Sequence, residues 1–482
     1  MTTTASASTP DPRRWQALAL VCVAFFMTVL DVSIVNVALP SIKTALNVAE
    51  KDLQWVITAY TITFGGFLLL GGRAGDLLGR RRMFMIGIGL FAVASLACGL
   101  SNSIGVLIAS RAIQGLGAAI ISPATLSIIT TTFEEGSERN KALGIWGAMG
   151  GSGAAAGVLF GGILTKYAGW EWIFFVNVPV GVAVLLLTRP LVRESRIPGI
   201  HGFDFPGAAT ITASLALLVY GISKAPDVGW ASGRTISILI AAAVLLVAFI
   251  AIERRQEAPM VPFRIFRLRT VTGANVAGFL LGAVVFSNFF LLTLYVQQVL
   301  HYSALKTGLT FLFTAGTVIP VAGASQALVT RIGVRPVLVT GLALMTAGMV
   351  WYTQIPVHGG FAANLLPGYL LVGVGMAFSF IPMSIAALAG VEDHEAGLAS
   401  GLINTSQQIG GALGVAIAAT VAFTHAKTLL ASGHDALSAQ TSGFALGFWV
   451  IAGIAAVSVI AALLLIRGGE LETVEAEAAQ PA

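Results

Sequence analysis

Residues 15–39 read WQALALVCVAFFMTVLDVSIVNVAL, and this stretch decides which solvent the chain is built for. A single formally charged residue, Asp31, interrupts it. As a helix the run would rise roughly 37 Å, enough to cross a hydrocarbon core of about 30 Å. It follows Arg13 and Arg14, is too long for a signal peptide and ends without a small-residue cleavage site, so it reads as a retained anchor. The remainder of the chain has the same character. Of 482 residues, 56% are hydrophobic and 10% charged, with a mean hydropathy of +0.87. A soluble domain carries about 25% charged residues, and a water-facing surface cannot be assembled from so few.

Working outward from that run, fourteen apolar stretches of spanning length follow one another: 15–39, 55–74, 83–101, 104–131, 142–165, 172–190, 206–223, 235–252, 271–298, 306–330, 336–354, 363–389, 397–424 and 442–466. None alternates with the period of a membrane β-strand, so the expectation is an all-α membrane protein. With both termini placed in the cytoplasm, 19 of the 27 basic residues fall in cytoplasmic segments, among them Arg80, Arg81, Arg82, Arg193, Arg254, Arg264 and Arg335. The net charge of +5 therefore expresses orientation in a cell membrane and not an affinity for nucleic acid.

Glycine spacing points to duplication. Gly144, Gly153 and Gly157 in the fifth stretch recur as Gly401, Gly410 and Gly414 in the thirteenth, and the turn at Gly79-Arg80-Arg81 recurs as Gly333-Val334-Arg335. The expected organisation is a disordered cytoplasmic tail (1–14), a six-helix bundle (15–190), a linker with two inserted, peripheral spans (191–270), a second six-helix bundle (271–466) and an acidic cytoplasmic tail (467–482). Cys22 and Cys98 lie inside spans and suit packing, not a disulfide or thiolate site. The histidines are scattered, and no phosphate-cradling loop, nucleophile or acid pair is present. An enzyme, a metal site, an organic cofactor and an internal ATPase are all unexpected.

Several motifs resemble those of the fourteen-span drug:proton antiporters of the major facilitator superfamily. They are Leu30 to Pro40 (LDVSIVNVALP), Gly72 to Arg82 (GRAGDLLGRRR), Arg111 to Ala119 (RAIQGLGAA) and Trp170 to Pro179 (WEWIFFVNVP). The resemblance implies the major facilitator fold, two six-helix bundles plus two inserted helices, rocking about a central cavity. It implies export of small amphiphilic compounds, neutral or monocationic, in exchange for protons by a monomer. Two positions depart from the pattern: Leu77 replaces a basic residue, and Val158 stands where the fifth-span motif has proline. Because that proline accompanies antiport in the family, a proton-coupled importer with the same fold is the alternative.

Asp31 is the one carboxylate placed well inside a span, and an ionised acid there must be paired, hydrated or protonated. Counting along the helices puts it roughly 24 Å from the cytoplasmic start of the first span, and Arg111 roughly 11 Å from the outer start of the fourth, which are compatible depths. Either Asp31 exchanges a proton for substrate or Arg111, or the two form a static pair. One charge crossing 100 mV releases about 2.3 kcal/mol and a pH unit about 1.4 kcal/mol, enough for a gradient of roughly several hundredfold.

Asp76, Gly79, Arg80 and Arg81 form a second constellation. The arginines suit a cytoplasmic loop, while the family resemblance implies a latch that holds the outward-facing state. Gln114 shares a face with Arg111. Asn36, Tyr60, Gln114, Asn288, Tyr295, Gln298, Asn404 and Gln407 are polar residues within spans that either line a cavity or bond neighbouring helices. Gly153, Gly157, Gly161 and Gly162 make a fifth-span surface on which another helix can pack closely.

Overall fold

A computed structural model describes residues 12–133, 137–196, 204–256, 259, 263–388, 391 and 396–466. Most of both expected tails lies outside these. The described chain is helical: α1 (Arg14–Leu46), α2 (Glu50–Leu78), α3 (Arg80–Gly99), α4 (Ile104–Thr132), α5 (Ser137–Tyr167), α6 (Trp172–Phe175), α7 (Asn177–Leu191), α8 (Phe205–Val228), α9 (Gly233–Glu253), α10 (Arg269–Leu294), α11 (Ala304–Ile332), α12 (Val334–Tyr352), α13 (Leu366–Leu388), α14 (Ala396–Ala431) and α15 (Ala436–Leu465). Among the described residues, twelve helical segments are long and apolar enough to cross a membrane, so this is a multi-pass membrane protein. Beside these twelve stand α2 and α5, with 29 and 31 residues.

Helix ends follow local chemistry. Ser103, Ser232, Ser303 and Asp435 each accept a hydrogen bond from a backbone N–H in the first turn that follows. Gly79 closes α2 at φ +106° and Gly333 closes α11 at φ +83°, backbone conformations that a side chain would strain. The stretch 172–190, expected as one span, is one spanning segment, Trp172–Leu191, whose helical ladder is interrupted at Val176, between α6 and α7, while the backbone there stays in the helical region. Pro179 falls in the first turn of α7, where its missing N–H costs nothing. Apolarity reports the length of a span and is blind to such a break. The far end of α10 likewise winds into a π-helical turn, Tyr295–Val299.

In the first half α1 packs on α5, α2 on α4 and α3 on α4; in the second, α10 packs on α14, α11 on α13 and α12 on α13. The repeated glycines sit at two of these crossings. A Cβ on Gly157 would lie 2.6 Å from the carbonyl oxygen of Leu30, and one on Gly414 2.6 Å from that of Ala283. No side chain fits between such backbones.

The two halves meet along α2–α14 and α5–α11. At the end remote from Arg80–Arg82, Gly162 abuts Ala304, Gly308 abuts the carbonyl of Val158, and the Gln297 amide donates to the Val37 carbonyl at 2.8 Å. Buried apolar packing runs without interruption there from Val37 and Leu39 to Leu291 and Val296. At the arginine-rich end, Phe84, Ile128, Phe133 and Val192 cluster within the first half.

The inserted helices differ from the peripheral pair expected. α9 packs on α8 and leaves Val244 and Val247 exposed, as a peripheral helix should. α8 instead covers the line where α2 meets α14. Its Leu215 and Val219 are buried with Ile62 of α2 and with Ala412 and Ala416 of α14, and Thr212 fits against Gly66.

Candidate functional site

Asp31 is the centre of a polar cluster sealed inside the first half. Neither it nor Arg111 exposes more than 1% of its side chain. Arg111 Nη1 donates to Asp31 Oδ2 at 2.5 Å and to Gln114 Oε1 at 2.7 Å, while Arg111 Nε donates to the Val56 carbonyl at 3.0 Å. Gln114 and Arg111 are one turn apart on α4, so both reach the same carboxylate; Gln114 Nε2 donates to Asp31 Oδ1 at 2.8 Å. Asn177 Nδ2, from the start of α7, donates to that same oxygen at 3.0 Å. Ser95 on α3 accepts from both amides and donates its own hydroxyl hydrogen bond to the Phe174 carbonyl at 2.9 Å. The Tyr60 ring lies 4.2 Å below the guanidinium, in the range of cation–π attraction.

An ion pair buried this deeply persists only if its remaining donors and acceptors are also served. Here both carboxylate oxygens are bonded, by donors from α4 and α7, and α2, α3 and α6 complete the surrounding network. Tyr60 is the loose end, since its hydroxyl is buried without a partner among the described residues.

The sequence had paired Asp31 with Arg111 and grouped Gln114 with them, and the structure brings all three together. It had quoted Asn177 only within a motif and passed over Ser95. An amide opening an otherwise apolar span was a readable signal for Asn177; a serine among the small residues of a span carried none.

The other candidates are spread more widely. Asn36 turns its amide onto the Val32 carbonyl of its own helix, and Tyr295 donates to the Pro356 carbonyl at 2.7 Å, so both are engaged within their own half. Asn288 Oδ1 and both polar atoms of the Gln298 amide are buried without partners among the described residues. Asn404 and Gln407 are half-buried on α14. Gly153, Gly157 and Gly161 all face α1, whereas Gly162 faces α11 in the other half.

The second constellation is tied to the chain that follows α7. Glu194 accepts from the backbone N–H of Arg81 at 3.0 Å and of Arg82 at 3.2 Å, Arg80 N donates to the Ser195 carbonyl at 2.9 Å, and the Arg81 guanidinium reaches the Val192 carbonyl. Glu194 thus caps α3, a role that sequence reasoning missed because the partners are more than a hundred residues apart. The side chain of Asp76 lies outside the described residues.

A sequence profile of the Major Facilitator Superfamily matches residues 21–415. The chain belongs to the Major Facilitator Superfamily. Within it, the chain is 38% identical over 444 residues to the puromycin resistance protein pur8 of Streptomyces alboniger, covering 92% of this chain and 88% of that protein. It is also 38% identical to the cephamycin export protein CmcT of Amycolatopsis lactamdurans, covering 84% of each chain. Among solved structures, an auto-inhibited peptide transporter of the POT family superposes with a TM-score of 0.67 at 16% identity, covering 93% of this chain and 96% of that one. A bacterial homologue of the lysosomal transporter Spinster gives 0.64 at 15% identity, covering 98% of this chain and all of that one. These last two show the all-helical superfamily fold. Membership also makes the chain a transporter and not an enzyme.

Proposed function

We propose that the protein exports small amphiphilic compounds of the antibiotic type in exchange for protons, with Asp31 as the proton carrier. The printed functions of the two relatives, puromycin resistance and cephamycin export, support the substrate class and the direction. The observation that carries the coupling is the buried pairing of Asp31 with Arg111. A carboxylate held by a guanidinium and two amides can release its proton inside the protein. Once the cavity reopens to water or substrate the competition changes, and the proton can be retaken.

The organisation that supports this reading has fourteen spans, the twelve apolar segments plus α2 and α5, arranged as bundles 15–190 and 271–466 around the insert 191–270. Both termini are cytoplasmic, because the basic residues then lie inside. The protein works as a monomer. In the described conformation the two halves are packed together at the remote end, which suits a cavity that opens toward the arginine-rich, cytoplasmic end. Tyr60, Asn288 and Gln298, whose buried polar atoms lack partners among the described residues, are the favoured candidates to face substrate when the cavity opens; Asn404 and Gln407 are further candidates. Asp76, Gly79, Arg80 and Arg81 serve the opposite conformation as a latch.

Val158 keeps a second reading alive, proton-coupled import. Proteoliposomes separate the two. With an imposed pH gradient, puromycin should move against the proton flux, and Asp31→Asn should abolish the response to the gradient. Movement with the protons would establish import, and an unaltered response in Asp31→Asn would remove the carrier role.

A further inference from the structure

Arg111 and Gln114 share one helix and shift together, but the third donor to Asp31 comes from elsewhere. Asn177 is the first residue of α7, immediately beyond the break at Val176. On the other side of that break, the Phe174 carbonyl takes the only proton of the Ser95 hydroxyl. Ser95 is then left with lone pairs alone and must accept from its neighbours, which orients the Asn177 amide nitrogen between Ser95 Oγ and Asp31 Oδ1. Ser95 and Asn177 are fully buried, so no solvent competes for these bonds. The network therefore clamps both sides of the α6–α7 break to the carboxylate.

We infer that Asn177 is a positioning residue for proton exchange: docked, its amide favours the ionised Asp31, and moving the start of α7 away lets Asp31 take a proton. The inference rests on the reading of Asp31 as carrier. A hydrogen bond to an ionised carboxylate stabilises that form selectively, so its withdrawal makes protonation easier. The ionisable groups facing Asp31 are Arg111 on α4, Tyr60 on α2 and Cys98 on α3. On α1 itself and on α5 and α7, charged residues other than Asp31 fall toward the helix ends. None of these is Asn177, which acts as a neutral donor and adds no charge of its own.

The test is an infrared pH titration of the full-length protein in lipid, following the carboxylic-acid band that disappears in Asp31→Asn. In Asn177→Ala the midpoint of that band should move to higher pH by about one unit or more, the value of one hydrogen bond to a charged group. Ser95→Ala, which frees the Asn177 amide without removing it, should move it in the same direction by less. A purely structural role would lower the melting temperature and leave the midpoint alone. Coincident midpoints in folded wild type and Asn177→Ala, or no titrating Asp31 band in either, would overturn the inference. The pH profile of puromycin transport reports separately on the carrier role. If the infrared midpoint moves and the transport profile does not, Asn177 positions Asp31 but Asp31 is not the coupling group. If the profile moves and the midpoint does not, the inference falls and the coupling reading stands.

Discussion

Val284 on α10 stands in the second half where Asp31 stands in the first. Gly157 presses on Leu30 and Gly414 on Ala283, so the next residue along each helix is Asp31 in one half and Val284 in the other. By the same comparison Gly115 of α4 meets Tyr60 and Thr63, Gly373 of α13 meets Thr314 and Thr317, and Tyr369 takes the place of Arg111. One architecture thus tolerates an ion pair or a valine and a tyrosine at matching positions. Packing alone does not require the charges.

This comparison sets the outcome of a double-mutant cycle. Arg111→Ala leaves a buried carboxylate without its counter-charge and should cost about 3–5 kcal/mol. Combining Asp31→Val with Arg111→Tyr, the residues of the second half, should recover most of that stability while transport stays absent. Thermal melting in detergent measures the first part and vesicle uptake the second; a double variant less stable than both singles would contradict the argument.

Gly162 separates folding from conformational balance. A Cβ there would lie 2.8 Å from the carbonyl oxygen of Ala304, across the junction of the two halves. Gly162→Ala should therefore open the remote end and raise the reactivity of a cysteine introduced at Ala304, with little change in melting temperature. Gly157→Ala, whose clash is with α1 inside the first half, should instead destabilise by about 1–3 kcal/mol.

The placement of α8 across the α2–α14 junction predicts that it moves with α2. Thr212 approaches Gly66 closely, so cysteines at these two positions should cross-link readily on oxidation. Transport of a compound that the uncross-linked protein carries should survive the cross-link. Loss of transport on oxidation, restored by a reductant, would mean that α8 slides along α2 during the cycle.

Glu194 holds the start of α3. Glu194→Ala removes an acceptor for two backbone donors and should cost about 1 kcal/mol or less, whereas Gly79→Ala, strained at φ +106° and within 2.6 Å of Glu194 Oε1, should cost more. Limited proteolysis between α7 and α8 reports the loss, which should appear as faster cleavage near Arg193 and Arg196.

Much of this was legible in the residues. Apolar run length located every span, though ends such as Leu46 of α1 and Ala431 of α14 lie up to seven residues beyond the runs, and the solitary charges Asp31 and Arg111 announced each other because neither can stay alone in hydrocarbon. The glycine spacing marked α5 and α14 as matching, closely packed helices, while their partners α1 and α10 came from the structure. What escaped were features set by tertiary context: the break before Asn177, the seat of α8 on two helices far apart in sequence, and the cap supplied by Glu194. Periodicity and hydropathy describe one helix at a time, and each of these depends on which neighbour it meets.

Proton release on substrate binding tests the central claim most directly. Adding a compound that the proteoliposome assay has shown to be transported to the purified protein in weakly buffered detergent, with a pH-sensitive dye, should release protons from the wild type near the midpoint of the Asp31 infrared band and none from Asp31→Asn. Equal release from both proteins, with binding of that compound verified in each, would contradict the account.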